Sequence, residues 1–116
     1  MVDSFRDLVV WQRAVQLSVA TYQLTATFPA DERFGLTSQL RRAAVSIASN
    51  IAEGYGRGTT ADYKHFLRIA RGSNFEAQTQ LVIAEELGFG GEDDLLRVIS
   101  LSTEVGKMLV SMLNKL

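Results

Sequence analysis

LTSQLRRAAVSIASNIAEGYGRG, residues Leu36 to Gly58, is the stretch whose reading decides the fold. Leu36, Leu40, Ala43, Ala44, Ile47 and Ile51 recur at steps of three and four, the apolar seam of a helix. Ala43, Ala44, Ala48 and Ala52 are small enough to let a neighbouring helix come close. On another side, Gln39, Arg42, Ser46, Ser49 or Asn50, and Glu53 also fall at helical steps. Apolar residues press on both flanks of that row. It is therefore expected to be a partly buried network in which each polar group must find a partner. Gly54, Gly56 and Gly58 then predict a helix C-cap and a loop, which ends this helix near residue 54.

Working outward, residues 29–37, PADERFGLT, read as a connector with one helical turn in Ala30–Phe34, broken at Gly35. The helix before it is expected over about 7–28. Asp7 is its candidate cap, Phe5 a staple residue, and Pro29 its stop. Its apolar positions form two rows, 8, 11, 15, 19, 22, 26 and 10, 14, 17, 24, 28, an arc wider than one core-facing stripe. Trp11 reads as a core anchor whose indole N–H needs an acceptor if buried. After the glycines, Thr59 or Thr60 can cap a third helix over about 60–87. Tyr63, Phe66, Leu67, Ala70, Ala77, Leu81, Ala84 and Leu87 form its apolar face. Gly72 sits mid-helix, where periodicity continues, and is read as a point of close helix packing. Gly88–Gly91 turns the chain into a fourth helix over 92–116, with Glu92, Asp93 and Asp94 complementing the dipole of its first turn. Leu95, Ile99, Val105, Leu109, Met112 and Leu116 carry its apolar face. Four helices joined by short loops predict an all-α, antiparallel, up-down-up-down four-helix bundle, one domain over residues 1–116.

Composition bounds the function. A chain of 116 residues, 47% apolar and 22% charged, is of globular type and one domain's size. The absence of cysteine excludes disulfides, thiolate metal sites and cysteine nucleophiles. The start, MVDSFRDL, lacks a leader's basic residues and apolar run, and no stretch is apolar enough for a membrane span, so a cytoplasmic location is expected. His65, the single histidine, rules out a histidine-based metal site in one chain and reads as a surface residue. No HExxH, EF-hand or di-iron spacing occurs, and Ser46 and Ser49 have no histidine partner placed by any motif. The glycines at 54–58 resemble a phosphate loop only superficially, since they follow a helix and lack the lysine–serine ending. No enzymatic activity, cofactor, metal or small-molecule substrate is expected.

The remaining signal is electrostatic. Residues 33–71 carry seven basic side chains against Glu53 and Asp62, a balance of +5, while residues 1–32 sum to −2 and residues 72–116 to −4. Arg41, Arg42, Arg57, Lys64, Arg68 and Arg71 come from two helices expected to be neighbours. If they share a surface they can contact phosphates by charge. The alternative is that they pair with acids of neighbouring helices.

FRDLVVWQRA (5–14), FPADERFGLTSQLRRAAVSIASNIAEGYGR (28–57) and FLRIARGSNFEAQTQLVIAEELG (66–88) together resemble the four helix bundle proteins named for the intervening sequence of bacterial 23S ribosomal RNA. The Ser46–Gly54 core, SIASNIAEG, is the most specific part. Ala48 stands where that family commonly has proline, and Asn74-Phe75 where leucine is frequent. The resemblance implies a left-handed antiparallel bundle, homo-oligomerisation with pentamers seen in the family, and no assigned catalytic activity. By fold the chain is also similar to the accessory variability protein of diversity-generating retroelements, a basic pentameric bundle that binds a reverse transcriptase and nucleic acid. The leading expectation is an oligomeric bundle that binds RNA or a nucleic-acid-associated protein through the basic residues of its second and third helices. The alternative is a structural or protein-interaction module whose Gln39–Arg42–Ser46–Asn50–Glu53 stripe specifies assembly.

Overall fold

In the computed structural model, which describes residues 4–116, the decisive segment is one unbroken helix, α2 (Leu36–Gly56). Residues 1–3, part of the segment read for a leader, lie outside the described residues. All six seam residues, Leu36 to Ile51, are buried. Ala48 lies within α2 without interrupting it. No side chain at the N-cap, Gly35, closes its first turn; Glu32 does so instead, its carboxylate accepting the Leu36 N–H at 3.0 Å. The C-terminal end differs from expectation. The helix passes Gly54, stops at Gly56, and the turn falls at Gly58, whose φ is +87°. Gly54 serves packing instead: a Cβ there would lie 2.7 Å from Phe66 Cβ and 3.3 Å from the Tyr63 carbonyl oxygen.

The first helix, α1 (Val9–Thr25), is shorter than its periodicity suggests. Asp7 belongs to a separate 3₁₀ turn, Phe5–Asp7, and the N-cap is Leu8, in extended conformation. Two contacts hold that turn against the helix: the Phe5 ring meets Trp11 edge-on at 5.1 Å, and Gln12 Nε2 donates to the Arg6 carbonyl at 2.8 Å. Trp11 is thus half-buried at the edge of the core, not an anchor within it. At the other end the threonines bond backward, Thr25 Oγ1 to the Thr21 carbonyl and Thr27 Oγ1 to that of Leu24, and the helix stops before Pro29 is reached. The wide arc divides. Val10, Ala14, Leu17, Leu24 and Phe28 enter the core, while Val19 and Tyr22 of the other row stay exposed.

The third helix, α3 (Thr60–Leu87), is capped by Thr59, whose hydroxyl accepts the Asp62 N–H at 3.2 Å. It closes on Gly88 at φ +73°, with Gly88 N–H on the Glu85 carbonyl and Phe89 N–H on that of Ala84, the bonding pattern of a Schellman motif. Gly72 is open: a Cβ there would meet nothing within 4 Å, so the close contact expected of it is absent. The fourth helix, α4 (Glu92–Lys115), starts with its three acids as predicted. Val98, Leu101 and Ser102 join its buried face, whereas Leu116, like Leu87 of α3, is exposed.

Helix α1 packs on α2 and α4, and α3 packs on the same two. Successive contacts of α2 retreat along α3, from Ser46 with Ser73 to Gly54 with Phe66. The apolar faces of all four helices meet in one core cluster. Among the described residues, no helix is long and apolar enough to cross a membrane.

Among the described residues, two buried side-chain polar atoms have no hydrogen-bond partner, the Tyr63 hydroxyl and Gln80 Oε1. Burial, then the neighbouring Tyr55, push the Tyr63 pKa upward. An orphaned buried hydroxyl costs about 1–3 kcal/mol. Tyr63→Phe is therefore expected to leave urea stability unchanged or raise it by up to ~1 kcal/mol. A loss instead would show that the hydroxyl is bonded.

Candidate nucleic-acid interface

The structure separates the six basic residues expected to form one surface. Arg41 is half-buried, its Nε donating to Thr25 Oγ1 at 2.8 Å and its guanidinium lying 4.4 Å from the Tyr22 ring centre. One residue on, Arg42 is exposed. Both line a cleft of about 750 Å³ with Arg33, Tyr22, Phe34, Ser46, Ser73 and Glu76. The Arg33 guanidinium sits 5.2 Å from the Phe34 ring, and Phe34 is 87% exposed. The cleft follows from local sequence. The 3₁₀ turn Ala30–Glu32 projects Arg33 and Phe34 beside the start of α2, where Arg41 and Arg42 follow within two helical turns.

Arg57 lies elsewhere, about 22 Å from Arg42 along the helix direction. It pairs with Glu53 at 2.6 Å and covers the Phe66 ring at 5.0 Å. Arg71 lines a different groove, between α3 and α4, together with Lys107, and sits 5.2 Å from the Phe75 ring. Lys64 and Arg68 are related to Arg71 by helical steps of seven and three, so they share its side of α3. Ser73 and Glu76, facing the α2 cleft, occupy another side. Spacing placed Arg41, Arg42, Lys64, Arg68 and Arg71 on helices, with Arg57 just past the end of α2, but could not say which flank of α3 each helix covers.

The polar stripe of α2 is likewise divided. Ser46 and Asn50 are half-buried and bonded: Asn50 Nδ2 donates to Ser46 Oγ at 2.9 Å and to its carbonyl at 2.8 Å, and Ser46 Oγ meets Ser73 Oγ at 2.9 Å. Gln39, Arg42 and Glu53 are exposed, so the continuous five-residue network is not formed. Within this row, Ser46 is bonded across to α3, at Ser73. Polar burial occurs instead between α3 and α4. There Asn74, fully buried, accepts from Ser102 Oγ at 2.7 Å and donates to the Ser102 carbonyl at 3.0 Å. Sequence reasoning also missed Tyr22, Arg33 and Phe34 as site residues. An exposed aromatic next to arginine in the connector was the available signal.

Chemically, the α2 cleft offers three guanidinium groups, two accessible rings and several hydroxyls, a set suited to phosphate and base contact. His65 is exposed, its ring edge-on to Phe66. Among the described residues no cluster of three or more histidine, cysteine or acidic side chains could hold a metal ion.

Comparison with known proteins adds the family. A family model described as 23S rRNA-intervening sequence protein matches residues 6–111. The chain belongs to that family. A solved structure shares the intervening-sequence fold, that of a protein of unknown function from the S23 ribosomal protein family of Bacteroides thetaiotaomicron. It is 23% identical, with a TM-score of 0.80, over 90% of this chain and 98% of that one. A search of curated proteins returns no match.

Proposed function

We propose that this intervening-sequence protein is a non-enzymatic, homo-oligomeric bundle that binds RNA through the cleft lined by Arg33, Arg41 and Arg42. The observation that carries the reading is the convergence of those three arginines with the accessible Tyr22 and Phe34 rings. Guanidinium groups supply salt-dependent phosphate contacts, and exposed rings let unpaired bases stack without sequence preference. RNA is favoured as the polyanion by the family's description. Oligomerisation, with the pentamer that the resemblance implies as one form, is supported by apolar surface outside the core. Trp11, Val15 and Val19 of α1 line a shallow groove with Val45, Ala48 and Ala52 of α2.

Fluorescence anisotropy on a labelled RNA hairpin with an unpaired loop, titrated across salt, tests the cleft. Arg33 and Arg42 are both exposed, so Arg33→Glu with Arg42→Glu leaves the fold intact. The double variant is expected to weaken binding at least about tenfold and to lower the salt slope by about two. Absence of salt-dependent binding by the native chain, or equal binding by the variant, refutes the reading.

A further inference from the structure

The α2 cleft holds one group that phosphate binding does not use. Among its lining residues Glu76 of α3 is the one acid, set with Arg33, Arg41 and Arg42. A carboxylate there repels phosphate, so attraction for the nucleic-acid backbone gives it no role. Its place follows from the α2–α3 contact, where Ser46 Oγ meets Ser73 Oγ at 2.9 Å. Four residues back along α2 from Ser46 is Arg42, and three residues on along α3 from Ser73 is Glu76. Contacts of α2 retreat along α3, so these two steps of about one turn run the same way. Arg42 and Glu76 therefore stand level, on the two helices that flank one cleft. Among the described residues, the ion pairs are Arg13–Glu104 and Arg57–Glu53, so no guanidinium closes off the exposed Glu76. Gln80, itself only 6% exposed, donates from Nε2 to Glu76 Oε1 at 3.3 Å. A carboxylate has about four acceptor sites, so that one bond orients it and leaves capacity for two further donors.

From this we infer that the cleft selects an unpaired guanine and that Glu76 is the residue that reads it. The inference rests on the RNA-binding reading of the cleft and adds the base to it. Two parallel acceptor oxygens match a base edge that carries two adjacent donors. Guanine alone has one, N1–H beside N2–H on the edge that an unpaired base leaves open. Adenine sets its N6–H beside a ring-nitrogen lone pair, and cytosine does the same with N4–H. Uracil has a single N–H between two carbonyl oxygens. In each of these three an acceptor would face the carboxylate, which costs binding instead of adding to it. Guanine O6, next along the same edge, accepts from a guanidinium, and the cleft has three. The Tyr22 and Phe34 rings stack on any base, so they supply affinity while the carboxylate supplies the choice.

Fluorescence anisotropy on the full chain tests the choice, with hairpins that share one stem and carry loops of uridine. The central loop position is left as uridine or replaced by guanine, adenine, cytosine or inosine, which keeps N1–H and O6 but lacks the N2 amine. The guanine loop is expected to bind the native chain at least about tenfold more tightly than the adenine, cytosine or uridine loop, with inosine between. That ratio should hold across salt, because base contacts release no counterions, whereas every individual affinity falls. Glu76→Gln puts an amide N–H where guanine also donates. It is expected to bring the guanine loop to within about threefold of the uridine loop, while the uridine loop binds at least as tightly as it does to the native chain. Equal binding of all five loops by the native chain overturns the guanine preference and leaves the RNA-binding reading standing. A guanine preference that survives in Glu76→Gln removes Glu76 as its source. Tighter binding of every loop by the same factor in that variant shows a carboxylate that only repels phosphate, and also overturns the inference. No binding of any loop by the native chain overturns both readings.

Discussion

Leucine in place of Gly54 is expected to lower the unfolding free energy by roughly 2 kcal/mol or more, read as a lower urea midpoint at unchanged slope. Two effects oppose each other at this position. Glycine inside a helix is worse than alanine or leucine by up to about 1 kcal/mol, so any side chain gains propensity. Against that, a single added carbon would lie 2.7 Å from Phe66 Cβ, an atom fixed to the α3 backbone that cannot swing aside. The helices must part, and overpacking of that kind costs about 1–3 kcal/mol for modest insertions. Alanine makes the contest close; leucine decides it for the clash. Gly72 supplies the control, because a Cβ there meets nothing within 4 Å. Gly72→Ala keeps only the propensity gain and is expected to stabilise by about 0.5–1 kcal/mol. Equal responses at the two glycines would remove the argument for close α2–α3 packing at Gly54.

That contrast shows where sequence reading stops. The Leu36–Ile51 seam, the Thr59 cap and the acidic first turn of α4 were all legible, because each rests on neighbours three or four residues apart. Sequence reading assigned Gly54 to a cap and Gly72 to close packing, and the helix across from Gly54 reverses which of the two is closely packed. The same limit explains the divided basic surface. Helical steps correctly group Lys64, Arg68 and Arg71, but whether α2 or α4 lies beside that stripe is a property of the assembled bundle. Arg33 and Phe34 escaped notice for a different reason: they lie in a connector, where periodicity gives no orientation.

Asn74→Ala is expected to cost about 2–3 kcal/mol, although the residue lies on an apolar face where leucine would satisfy the pattern. Its amide and the Ser102 hydroxyl bond each other reciprocally, Gln78 Nε2 adds a bond to Ser102 Oγ at 3.1 Å, and all of this sits between α3 and α4. Gly106 makes the space: a Cβ on it would lie 3.2 Å from Asn74 Nδ2. Removing one partner strands the other in a dry site, whereas removing both strands little. Asn74→Leu combined with Ser102→Ala is accordingly expected within about 1 kcal/mol of native, giving a coupling of about 1–2 kcal/mol in the double-mutant cycle. If the pair contributes so little net stability, its expected use is to fix how α3 slides along α4, as single buried amides fix register in paired helices. The double variant should therefore keep its helical dichroism and its urea midpoint while losing amide-exchange protection along α3 and α4. Undiminished protection would show that apolar packing alone sets that register, and additive losses in the cycle would show that the two side chains are not one unit.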